Sequence, residues 1–401
     1  MNNIFFIKQL KGLSNQELAL YLISVSIFLP FYLFLTLFIS YFILLMVTGK
    51  LTTILKSITN QPFLLGFIGY SAVLSIIASN WIGLVVTVFF FLYFIFFKYY
   101  QKIITPNLFH MIIQTLIVFS LFALAFAFLE HYMLVNKFDY SFISPTLQRI
   151  HQNRAEATFF NPNYYGLVCC FCIMLAMYFF FVTKNWKWKI ICFIAIISNS
   201  VGLNLSQSRT AFPALILGAI VYLFATIKNS KAFLISLAVF AFAIWLLFSS
   251  NLGMRMGSLE EALDDRVLIW TSALEMLSKN MWYGKGPLTY LHEYQSIGAP
   301  YHEHAHSLYI DTLLSYGYIG LSLVLASLVN PIRQVIRLSG DFSKRPIVGL
   351  ILSFFVVVAV HGIFDIAILW IQTAFIFFLV ITTLPIWGKA DKITYPLDNF
   401  E

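Results

Sequence analysis

His302-Glu303-His304-Ala305-His306-Ser307-Leu308 marks the point where the longest polar stretch of the chain, about residues 249–305, runs into an apolar helix. Almost everything outside that stretch is hydrophobic. Of 401 residues, 60% are hydrophobic, 18% aromatic and only 10% charged. A soluble domain carries about 25% charged residues, so this composition belongs to an all-α polytopic membrane protein. The formal net charge of +8 does not imply nucleic acid, because the basic residues sit in short loops between apolar runs. Cys169, Cys170, Cys172 and Cys192 all fall inside apolar runs, where thiols act as small hydrophobes.

Working outward from the histidines, the apolar runs number about twelve. Residues 18–48 are too long for one crossing, and Pro30 divides them into two. Further spans are expected at 62–79, 81–97, 108–129, 164–182, 188–205, 210–227, 232–248, 307–329, 347–361 and 366–387. Lys8 and Lys11, Lys50 and Lys56, Lys98 and Lys102, Lys184, Lys187 and Lys189, and Lys228 and Lys231 then fall in alternate loops. Arg333, Arg337, Lys344, Arg345, Lys389 and Lys392 share that side. By the positive-inside rule it is cytoplasmic, and both termini with it. The N-terminal run has no cleavage site and reads as a first span. The whole of 1–401 reads as a single integral membrane domain. Residues 249–306 form one large periplasmic loop with short helices between spans 9 and 10.

Arg149, Arg154, Arg209, Arg255 and Arg266 fall on the opposite, outer face. They run against the topogenic bias, so another cause is required: an anionic ligand, or pairing with Glu156, Glu260, Glu261, Asp264 and Asp265. Arg209 lies at the mouth of two spans, where its planar donor fork suits phosphate oxygens. Arg266 and Trp270 are i,i+4 neighbours on a helical pattern, so the indole can support the guanidinium. The preceding Asp264-Asp265 pair suits a helix N-terminus. His306 opens the helix that follows, and the dipole there favours neutral imidazole, which can accept a proton from a hydroxyl. His304 is its assistant, and His302 is a surface residue. A metal reading of the three histidines needs additional carboxylates. Asn161-Pro162-Asn163 breaks the chain before a span, with Asn161 favouring a turn and Asn163 a cap. Asp311, one turn below His306, can orient a histidine. His361 and Asp365 flank the last outer turn, without a local pattern that ties them to the others.

At these residues the chain resembles the O-antigen ligase and O-antigen polymerase family (Wzy/WaaL type). The resemblance runs through Arg154 to Asn161-Pro162-Asn163, Ser208-Arg209-Thr210, Arg266 with Trp270, Gly284-Lys285-Gly286, His306-Ser307-Leu308 and Gly317-Tyr318-Ile319-Gly320-Leu321. Ser307 stands where the family usually has Asn, and Met281-Trp282 where a proline usually precedes the glycine turn. The resemblance implies a GT-C-like membrane glycosyltransferase at the outer face of the bacterial inner membrane, inverting and independent of metal or other cofactor. The donor would be an undecaprenyl-diphosphate-linked glycan. The acceptor would be lipid A-core for a ligase, or a second lipid-linked glycan for a polymerase, which would also engage a chain-length regulator. His306, Arg209 and Arg266 would be catalytic, with Arg154, Asn161, Asn163, Trp270 and His304 binding substrate. A flippase or transporter is the rival reading; it predicts ionisable residues deep in the spans, and these spans are nearly free of them.

Overall fold

The computed structural model describes residues 10, 12–56, 61–130, 154–227, eight residues between 229 and 238, and 259–389. Arg149, Arg255 and most of the expected span 232–248 lie outside these residues. The described residues form helices and connecting turns, with no strand among them. Among the described residues, seven helices are long and apolar enough to cross a membrane, and three shorter apolar helices accompany them.

The N-terminal run is indeed divided at Pro30. Helix α1 (Asn15–Val25) starts on a Ser14/Glu17 capping box, and a 3-10 turn (Ser26–Phe28) leads to the break. Pro30 then opens α2 (Phe31–Val47). Gln16, near the start of α1, accepts a hydrogen bond from Tyr99 at 3.0 Å, and Tyr41, late in α2, meets the same tyrosine ring at 6.3 Å. The chain therefore goes up and returns, as a hairpin. The short α3 (Lys50–Leu55) follows.

Helices α4 (Pro62–Ile77), α5 (Trp81–Ile103) and α6 (Pro106–Phe128) come next. The central element is α7 (Pro162–Val182), 89% of whose apolar window is buried. It packs against α8 (Trp186–Ser206) and α9 (Ala211–Thr226). Beyond these lie α10 (Leu259–Lys279), the short α11 (Thr289–Glu293) and α12 (Leu308–Ser339). The last helices are α13 (Arg345–His361), which packs on α9 and α7, then α14 (Ile371–Ile381) and α15 (Leu384–Lys389). The four cysteines are free and buried.

Helix α12 is broken at Gly317, where φ is 61° and ψ −170°, a region essentially confined to glycine. A break strands backbone groups on both sides, and here each is taken up by another segment. The freed Tyr318 and Ile319 N–H groups donate to Met281 O (3.0 Å) and Trp282 O (3.2 Å). Ser315 O accepts from Gly286 N at 3.0 Å, and Tyr316 O from the Tyr70 hydroxyl at 3.1 Å. The approach requires glycine on both strands. A Cβ on Gly317 would lie 2.3 Å from the Trp282 carbonyl carbon, and one on Gly284 2.2 Å from that of Ser315. Only main-chain carbonyls are needed at 281 and 282, so Met and Trp can stand there without disturbing the clasp.

Candidate active site

One end of the bundle collects the turns between helices, and hydrogen bonds and ring contacts tie them together. Leu308 N donates to Gly362 O at 2.7 Å, bringing the histidine stretch beside the turn after α13. His306 sits just before the helix: Ser307 is the N-cap and Leu308 the first helical residue. His306 has φ 47°, a left-handed conformation uncommon for a residue with a side chain. That twist folds the three histidines around one another. The His306 ring meets His304 at 4.4 Å and His302 at 5.2 Å, both edge-on. His302 thus belongs to the cluster and is no mere surface residue. The His306 N–H donates to His304 Nδ1 at 3.2 Å. Asp311, fully buried, accepts from the Ala305 N–H at 3.0 Å; it fixes the loop backbone at that bond.

The carboxylate beside the histidines is Asp365. Ligating atoms of His304, His306 and Asp365 all lie within 4.8 Å of one another. Asp365 is held in turn: Asn163 Nδ2 donates to its Oδ2 at 2.5 Å, and Ile366 N donates to Oδ1 at 2.7 Å. Asn163 is not the cap of α7. Pro162, favourable at a first helical position, starts the helix one residue earlier, and Asn161 caps it by accepting from Asn163 N at 2.8 Å. The Asn163 side chain is left free to bridge. Its Oδ1 accepts from Arg154 Nη2 at 2.7 Å, and Arg154 Nε donates to Ser206 O at 2.9 Å. These bonds give Arg154 and Asn161 the part of building the wall behind Asp365.

Arg266 completes the group from α10. The described helix runs from Leu259, so Asp264 and Asp265 lie inside it and are exposed; they are not the helix-opening pair expected. The aromatic support also differs. The Arg266 guanidinium lies 6.0 Å above the ring of Phe364, and Trp270 stacks on that ring at 5.8 Å and 30°. Trp270 therefore backs the platform that carries the cation. Arg266 Nε, Trp270 Nε1, His306 Nδ1 and His361 Nε2 are buried without a hydrogen-bond partner. Unpartnered nitrogens on three residues that feel the Asp365 charge, Arg266, His306 and His361, mark a site with capacity for a ligand.

The electrostatics follow from burial. Burial pulls the Arg266 guanidinium below its ordinary value, with Arg209 acting in the same direction and Asp365 and Asp265 opposing. Arginine nevertheless stays charged. Arg209, in the turn between α8 and α9, is thus near enough to Arg266 for the two cations to repel, and an anion between them would relieve both. Burial, then the neighbouring His304, pushes His306 down to about 3 against the opposing pull of Asp365. The low value comes chiefly from burial and not from the helix dipole that the position before the helix suggests. Burial alone would raise the Asp365 carboxyl, but His361, His304 and His306 outweigh it and hold it below the usual carboxylate range. The resting site is a neutral imidazole beside a carboxylate anion.

A pH dependence follows. Transfer should hold within about twofold as the pH falls from about 8 to about 5.5, because His306 stays neutral where an ordinary imidazole protonates near 6.5. An acid limb centred near 6.5 in kcat/KM would contradict this. Stability behaves differently. The folded value lies below the unfolded one, so His306 contributes fully above about 6.5 and its contribution is lost as the pH falls toward the folded value.

Asp365, His361 and Phe364 share the turn that brings them together, and no local pattern in the sequence joins them to residues 266 or 306. Residues 194–325 of the chain match the family model described as O-antigen ligase. The match takes in Arg209, Arg266, Trp270, the three histidines and Gly317, and leaves out Asn163 and Asp365. No curated protein matches the chain.

Proposed function

We propose, from the match of residues 194–325 to the family model described as O-antigen ligase, that the chain transfers a glycan from an undecaprenyl-diphosphate-linked donor to an acceptor hydroxyl. The observation that carries the reading is the half-buried His306, whose buried Nδ1 has no partner, beside the carboxylate of Asp365 and near enough to Arg266 to feel its charge. In the reaction the acceptor oxygen attacks C1 of the donor sugar and the C1–O bond to phosphate breaks. The electron pair stays on the diphosphate, which Arg266 and Arg209 hold. The hydroxyl proton passes to His306, and Asp365 steadies the imidazolium that forms. Base and leaving group on opposite sides of the sugar give inversion. The membrane arrangement accompanying this reading is a GT-C-like protein of twelve spans in the bacterial inner membrane, with both termini cytoplasmic and the site on the periplasmic side.

A ligase would use lipid A-core as acceptor, and a polymerase a second lipid-linked repeat unit, working with a chain-length regulator. The ligase is preferred on the description of the matched family. A second reading has its own observation: His304, His306 and Asp365 have the ligand types and the proximity to hold a metal ion. One experiment separates the readings. Purified protein receives a defined lipid-linked repeat unit, with and without lipid A-core and with and without chelator, and the products are sized. A single core adduct that survives chelation is expected. Ladders without core would make it a polymerase. Activity lost to chelator and restored by a divalent cation would replace the proposed mechanism with the metal one. No transfer under any condition would remove the functional reading.

A further inference from the structure

The outer turn between α4 and α5 lies outside every motif above, yet it grips the loop that carries Arg266. Asn80 is 3% exposed. Its Oδ1 accepts from Gly83 N at 2.9 Å and caps α5, while its Nδ2 donates to Lys285 O at 3.0 Å and to Pro287 O at 2.8 Å. Both acceptors belong to the glycine turn whose Gly286 donates to the break in α12. The contact is close throughout. A Cβ on Gly83 would fall 2.6 Å from Pro287 O, and one on Gly286 2.1 Å from the Ser75 hydroxyl.

The placement of this grip decides what it controls. Helix α10 runs into it from Arg266, ending at Lys279 just before Met281. The first segment of α12 runs into it from His306, ending at the Gly317 break. At about 1.5 Å per residue, Arg266 and His306 stand roughly 15–20 Å from the clasp on two helical arms that pack together and share that foot. A small rotation at the foot becomes a displacement of an ångström or more at the far ends.

We propose that Asn80 is a positioning residue for glycan transfer, pinning the Met281–Pro287 turn, and through it the broken helix, to the α4–α5 turn so that Arg266 and His306 keep their separation. This rests on the proposed function only for the identity of the reaction; the clasp itself is a matter of geometry. Asn80→Asp tests it, because the carboxylate keeps the Gly83 cap but turns the two donated bonds into repulsions. Tyr70→Phe removes the phenol bond to Tyr316 O and leaves the α4 helix packed, so it serves if Asn80→Asp does not fold.

Both variants should speed amide exchange in peptides covering 281–289 and 315–322. They should lower kcat about 10- to 100-fold, the loss expected of a misplacement near 1 Å, and move donor KM by less. In an Arg266→Ala background, Asn80→Asp should lower kcat by less than about threefold further, since the separation it keeps has already lost its Arg266 end. Faster exchange with kcat within about twofold of wild type would overturn the proposal. So would losses that multiply with Arg266→Ala, which would mean that Asn80 acts independently of that arm. If Arg266→Ala alone retains full transfer, the diphosphate role of Arg266 fails, and Asn80 is still judged by exchange and by kcat in the otherwise wild-type chain.

Discussion

Replacing His306 by asparagine should lower glycan transfer about 10²- to 10⁴-fold, the range for removing a general base. Asparagine is the informative choice because position 306 has φ 47°, a conformation that asparagine tolerates and alanine enters less readily. The backbone twist, and the N–H bond to His304, can then survive while the base does not. His306→Ala should lose as much activity and some stability besides. If His306→Asn keeps transfer within about tenfold of wild type in single-turnover measurements, His306 is not the base.

Arg266→Ala should lower kcat about 10²- to 10³-fold, as expected when one preorganised group facing a developing charge is removed. The Phe364 face and the Trp270 stack behind it fix the guanidinium before substrate arrives, so little ordering is left to the reaction. Arg266→Lys tests the fork separately from the charge. Lysine keeps the cation, but loses the planar donors and the guanidinium's place over the Phe364 ring. It should recover only part of the loss. The check is pre-steady-state transfer with donor affinity measured in parallel. Unaltered turnover in Arg266→Ala would remove the diphosphate clamp.

The parts of this site differ in how far they show in sequence, for identifiable reasons. His306 and Arg266 stand out because each is a polar residue at the edge of an apolar run, in a protein with few charges. Pro30 marks its break because the ring removes a backbone donor and resists helix interiors. Asp365 lacks any such signal. It is a lone carboxylate in a short turn between helices, and its partners come from α7 and from the histidine stretch, far away in the chain. The aromatic support of Arg266 is hidden on the same ground. The i,i+4 rule nominates Trp270, but a rule local to one helix does not know of Phe364 on another segment. Asn161 and Asn163 were exchanged because both can cap, and only the Pro162 register decides between them. The glycine pairs near 284 and 317 are conspicuous in sequence, yet their meaning is mutual. Each is required because the other's backbone lies against it.

The tie at the first break of the chain bears on where the protein can be cut. Gln372 donates to Ile27 O at 2.7 Å and to Leu29 O at 2.8 Å, and Trp370 packs on Phe31, Phe160 and Tyr164. The beginning of the chain thereby buttresses the segment that follows Asp365. A fragment limited to the recognisable domain would carry both arginines and all three clustered histidines, but neither the carboxylate nor the asparagine that aims it. The candidate site is assembled from segments on both sides of the matched region, and swapping the central segment between relatives would transplant only half of it.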